Sequence, residues 1–333
     1  ETDVHLFGVE DDGPLFLMGT DRLGRDVFAR MLPDSVASIF RTMHPWTSVT
    51  DSRNEQVQRT RLWRYLTGDD RCPRPPARGG AEPLYDPDEI AQAPNWMPEH
   101  PFDNGELVVR DEQLAPWPRT PGEMRRHNAE YYAMIAHLDA QIGRVLEALA
   151  KSGHAEDTII VLAGDNGLAI GRHGLMGKQN MYDHSLHVPL IMCGPGIPAN
   201  QQSETLCYLL DIFPTLCDLT GTRIPVSVEG KSLLTCIHKP DADVRTSLYL
   251  AYANSIRGLT NGDHKLIEYT CGQTQLFDLS KDPLETENIA DKPTSSSLLA
   301  QMRQNLLSLS REWDDERHPK GQEFWEQRDD LKL

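Results

Sequence analysis

Residues 158–196 read TIIVLAGDNGLAIGRHGLMGKQNMYDHSLHVPLIMCGPG. The stretch opens on an apolar run, 159–163, bounded by turn-formers, as expected of a strand buried on both faces. Asp165 and Asn166 follow at once, then Gly167. Alone, Asp-Asn-Gly marks only a turn. Adjacent oxygen donors where a strand gives way to a glycine-rich loop also suit a hard divalent cation. Ligand sites in open α/β sheets gather at such carboxyl ends. Further along come His173-Gly174 and Gly177-Lys178, then a second apolar run, 188–192, closed by Gly194-Pro195-Gly196. A cation, a lysine and a histidine around one loop can hold a doubly charged oxyanion.

In order and spacing these features closely resemble the sulfatase family of the alkaline-phosphatase superfamily. There a strand ends in Asp-His or Asp-Asn, followed by Gly, a His-Gly pair, a Gly-Lys and a Val-Pro-Leu-Ile strand. The resemblance implies that Asp165 and Asn166 are calcium ligands and that Lys178 contacts the sulfate ester, with His173 as a catalytic neighbour. It implies an α/β fold: a mostly parallel sheet flanked by helices, its N-terminal part missing, with a small C-terminal antiparallel sheet. By family the chain is then a calcium-dependent sulfuric ester hydrolase acting on a small-molecule sulfate ester.

The whole chain narrows the alternatives. Its 333 residues suffice for one large domain or two smaller ones. A net charge of -17 argues against nucleic acid or an anionic membrane as partner. Six cysteines are scattered without a CxxC pair, so neither a zinc cage nor a disulfide framework is indicated. Cys193, Cys207 and Cys217 are expected to be small buried hydrophobes. No apolar run approaches the ~20 residues of a membrane span, and no basic-then-apolar leader opens the chain. A soluble, cytoplasmic protein is expected.

Four segments are expected: 1–82, linker-like or foreign to the sulfatase pattern; 83–240, the sulfatase-like core; 241–313, an antiparallel subdomain with a terminal helix; and 314–333, a charged, frayed tail. Within the first, 16–28 resemble a loop of the dipeptide and oligopeptide ABC-transporter permeases. Neither Asp69-Asp70 nor Cys72 fits the family's acidic pair or nucleophile, since no buried strand precedes the acids and Cys72 opens Cys-Pro-Arg-Pro. His100, in a loop flanked by prolines, is read as exposed.

Thr120-Pro121-Gly122-Glu123 is a capping box. It predicts a helix from 121 to 152 with Tyr131, Ile135, Leu138, Ile142, Val145 and Leu149 as an apolar stripe facing a sheet. The helix 121–152 and the strands 159–163 and 188–192 are expected to pack as parallel α/β layers. A helix is expected over 206–219, with Pro214 either bending it or sitting at its start, and Asn261-Gly262 predicts a hairpin. A last helix covers 297–313.

In sulfatases the nucleophile is a formylglycine made from Cys or Ser in Cys/Ser-x-Pro-x-Arg. The family also uses an N-terminal Asp-Asp pair, a Gly-Lys-x-His and a histidine after a buried strand. None of the four occurs in this sequence. Two alternatives follow: a catalytically inactive truncated or fused remnant, and a phosphonate or phosphodiester hydrolase of the same superfamily.

Overall fold

The computed structural model describes residues 85–332, with a two-residue antiparallel ladder between Leu6–Phe7 and Phe16–Leu17. Most of the permease-like string, Asp69-Asp70 and Cys72 lie outside the described residues. The chain divides into two compact units, 1–90 with 125–158, and 91–124 with 159–333.

Helix α1 (Pro121–Ser152) supplies most of what is described of the first unit. The Thr120 hydroxyl accepts from the Glu123 N–H at 3.3 Å, and Gly153 closes the helix at φ +82°. The predicted stripe is not a buried face: Ile135 is 46% exposed and Leu138 38%.

The second unit holds two sheets. Strands β1 (Ile160–Ala163) and β2 (Leu190–Cys193) form the first. They pair antiparallel, Ile160 opposite Cys193 and Ala163 opposite Leu190, which corrects the expected parallel arrangement of these strands. A parallel partner needs a crossover that carries the chain back along the sheet, usually a helix. The only helix in this connection is the single turn α2 (Asp183–Leu186), so the chain re-enters at the end it left. The strands are not buried on both faces either, since Leu162 is 42% and Ile191 57% exposed. Alternation along β2 also turns Cys193 outward, against expectation, whereas Cys217 is buried and Cys207 half-buried.

A short 3-10 turn at Leu209–Asp211 leads into α3 (Ile212–Leu219), with Pro214 in its first turn, and α4 (Leu234–His238) follows. The second sheet is a meander, β3 (Leu248–Tyr252), β4 (Ile256–Thr260), β5 (His264–Tyr269) and β6 (Thr274–Asp278), antiparallel throughout. Gly262, at φ +90°, makes the β4–β5 turn. Period-two alternation gives the meander two apolar faces. Leu259, Leu266 and Leu276 pack on Met302 and Leu306 of α5 (Ser296–Glu312) and on Phe324 and Trp325 of α6 (Pro319–Gln327). On the other face Ile256, Ile267 and Phe277 meet Ala169, Leu175, Met181 and Tyr182, all from the loop between β1 and β2. The meander is thus the floor on which that loop is built.

The tail is a second correction. Phe324 and Trp325 are buried, and Asp315 accepts from Arg257 Nε at 2.8 Å and from Trp325 Nε1 at 2.9 Å. The surrounding charges hide two aromatic anchors.

Candidate active site

The β1–β2 loop folds on itself before it reaches Lys178. Ala169 N–H donates to Gly177 C=O at 3.0 Å, Ile170 to Met176 at 3.3 Å and Gly171 to Leu175 at 2.7 Å. This small hairpin reverses at His173-Gly174, with His173 at φ +52° and Gly174 at φ +75°. Lys178 follows directly on the arm that these bonds pair with residues 169–171. Gly167 donates to Ser185 C=O at 3.0 Å, and a Cβ there would lie 2.0 Å from the His184 carbonyl oxygen. Chain ends far apart in the loop therefore close over the carboxyl end of β1.

The predicted site residues meet different fates. Asp165 is exposed, and its Oδ1 accepts from Asn166 N–H at 2.9 Å. Asn166 is half-buried and Lys178 exposed. His173 is buried. Its Nε2 lies 3.1 Å from both the Leu284 and the Glu285 carbonyl oxygens, and its ring stacks on Tyr182. Burial pushes the His173 imidazole down to about 4, so it is neutral at pH 7. A neutral ring with one nitrogen on carbonyls braces the loop.

His100 is also buried, which corrects its reading as an exposed loop histidine. Its Nδ1 faces the Phe102 carbonyl at 2.7 Å and its Nε2 the Tyr182 hydroxyl at 3.1 Å. The Tyr182 hydroxyl donates to Gln275 Oε1 at 3.1 Å. Beneath α2, the buried Lys265 ammonium bonds both the Asp183 carboxylate and Glu285 Oε1, the latter at 2.7 Å. Glu285 Oε2 also accepts from Asp183 N–H at 2.7 Å. Burial raises the Glu285 carboxyl, opposed by the Lys265 charge.

Sequence reasoning missed two supports, Glu112 and Arg119. Both are buried and paired at 2.7 Å, Arg119 Nη2 to Glu112 Oε2. Glu112 accepts from the N–H of Gly177 at 2.8 Å, and Arg119 Nε donates to Gly174 C=O at 3.3 Å. Glu112 opens the 3-10 turn Glu112–Leu114 and Arg119 follows in irregular chain, in a stretch without periodicity, so no pattern marks them.

Asp165 and Asn166 are hard oxygen donors, of the kind calcium takes. Among the described residues no group of three or more His, Cys, Asp or Glu is placed to hold a metal. The pair fits part of a coordination shell. No helix among the described residues is long and apolar enough to cross a membrane.

A family model described as Sulfatase matches residues 51–222, just over half of the chain. The chain belongs to the sulfatase family. That match begins upstream of residue 83, where the resemblance was placed above. A second model, N-sulphoglucosamine sulphohydrolase, C-terminal, matches residues 171–312 of this sulfatase-family chain. The chain is 38% identical to Arylsulfatase K of Mus musculus over 186 residues, 51% of this chain and 34% of that protein. Among solved structures it resembles BT4656 in complex with its substrate D-glucosamine-2-N,6-O-disulfate, at 28% identity and TM-score 0.55, over 59% of this chain and 42% of that one. It also resembles the phosphonate monoester hydrolase of Agrobacterium radiobacter, at 26% identity and TM-score 0.56, over 62% of this chain and 47% of that one. The chain thus spans about a third of the mouse relative's length and under half of either solved chain.

Proposed function

We propose that this chain carries the cation- and oxyanion-holding part of a sulfuric ester hydrolase acting on a small-molecule sulfate ester. What supports it is the family match together with the hairpin, whose bonds between 169–171 and 175–177 fold the segment leading to Lys178 back toward the one that follows Asp165 and Asn166. In this reading Asp165 and Asn166 are calcium ligands, and Lys178 contacts the ester oxygens. His173 belongs to the site as the buried brace of its loop. The cation would offset negative charge developing on the transferring group. Two protein oxygens are few against the about 6–8 that calcium takes, so it binds weakly here.

Cys/Ser-x-Pro-x-Arg does not occur in these 333 residues. Without the covalent and positioning contributions of a nucleophile, each worth several kcal/mol of barrier, this chain hydrolyses an aryl sulfate little faster than background. The likeness to a phosphonate monoester hydrolase supports a second reading, with phosphonate as the ester. Both are tested by assaying the purified chain, with calcium, on an aryl sulfate and an aryl phosphonate, beside Lys178→Ala. Robust turnover that Lys178→Ala abolishes would refute the expected inactivity, and the preferred ester would choose between the two.

A further inference from the structure

The Lys178 side chain is exposed, its charge acts on Asp111, and the backbone that carries it sets where its stem begins. That backbone is gripped by two consecutive acids. Glu112 accepts from Met176 N–H at 3.1 Å on Oε1 and 3.0 Å on Oε2, and from Gly177 N–H at 2.8 Å. Lys178 N–H donates to Gln179 Oε1 at 3.0 Å, and Gln179 Nε2 donates to Asp111 Oδ2 at 2.9 Å. Three successive N–H groups, 176 to 178, are thus taken up directly or through one side chain by Asp111 and Glu112.

The grip is itself held. Arg119 pairs with Glu112, bonds the Ala115 and Gly174 carbonyls, and lies 3.6 Å from the centroid of Trp117. Gly177 permits the approach, since a Cβ there would lie 2.4 Å from Gln179 Oε1 and 2.9 Å from Asp111 Cβ. The hairpin does not need the grip in order to close, because its own three backbone bonds join 169–171 to 175–177. What the grip adds is a fixed exit direction at residue 177.

We infer that Glu112, backed by Arg119, is a positioning residue that aims Lys178 at the bound anion. The inference rests on the reading of Lys178 given above. The sign of the effect separates positioning from plain electrostatics. Removing a carboxylate near an anion site should tighten anion binding by charge alone, whereas losing the grip should weaken it.

The test is inorganic sulfate titrated into the full, 15N-labelled chain with calcium at constant ionic strength, following the amides of residues 176–179. Glu112→Ala should weaken sulfate about tenfold, the scale seen when a group orienting a ligand is removed. Lys178→Ala should do the same, and the double variant should be no weaker than Lys178→Ala alone. Glu112→Gln keeps an oxygen for the two N–H groups and should recover most of the affinity. It also carries the test should Glu112→Ala fail to fold, through upfield shifts of the Met176 and Gly177 amide protons and an affinity between those of wild type and Lys178→Ala. Unchanged or tighter sulfate binding by Glu112→Ala, or tighter binding by Glu112→Gln should Glu112→Ala fail to fold, overturns the inference alone. Absent binding by wild type, or full binding by Lys178→Ala, overturns the site reading beneath it.

Discussion

The imidazole of His173 lies flat on the ring of Tyr182, with 3.8 Å between centroids and 2° between planes. His173 Nδ1 has no hydrogen-bond partner, and protonation would place a charge at a buried, unpaired nitrogen. Burial lowers His173 from 6.5 to about 4, and lowers His184 and His100 in the same direction. Between those values the unfolded chain binds more protons than the folded one. Stability is therefore complete above the unfolded value and falls as pH drops toward 4, by roughly 3 kcal/mol for His173 alone. Urea midpoints from pH 7 to pH 4.5 measure the slope. His173→Asn, which tolerates the positive φ, should flatten it, and parallel profiles would refute the assignment.

Lys265 is a buried ammonium between two carboxylates, Asp183 and Glu285. Lys265→Met removes the cation and leaves both acids facing each other under the loop. The expected cost is about 3–5 kcal/mol, that of breaking a buried pair, partly recovered by adding Glu285→Gln. Chemical denaturation reads it. A loss under about 1 kcal/mol, the range of exposed pairs, would show that water reaches the cluster.

Trp325 is buried against α5 and donates to Asp315, so the acidic tail is anchored. Trp325→Ala should cost about 3–5 kcal/mol. Amides of 319–327 should exchange as slowly as those of β5. Fast exchange across α6 in the wild-type chain would return the tail to the frayed state that its charge suggests.

Gly174 lies at φ +75°, and a Cβ on it would stand 2.2 Å from the Glu99 carbonyl carbon. Gly174→Ala must either adopt a backbone costly for alanine or push residues 99–100 away. We expect a loss above about 2 kcal/mol and new proteolytic cleavage within 171–178. A variant as stable and as resistant as wild type would mean that the two loops do not touch.

The local elements were legible where the signal is itself local. Thr120 and Glu123 announce the start of α1, Asn261-Gly262 announces the β4–β5 turn, and alternation announces the meander. The order of Asp165, Asn166, His173 and Lys178 also sufficed to suggest the family that the comparison establishes. Strand direction was not legible, because a run such as 159–163 reads the same whichever way its partner passes. That was decided by a connection too poor in helix to cross back. The burial of His173 and His100 follows from Tyr182 and from the 282–285 turn, over a hundred residues from His173. Glu112 and Arg119 carry no periodic mark, and their partners are backbone N–H and C=O groups, which every residue supplies. Sequence alone thus determined the family and the order of the candidate residues along the chain. Only the tertiary structure decided which of them face solvent and which are braced, because both depend on contacts between segments that share no local pattern.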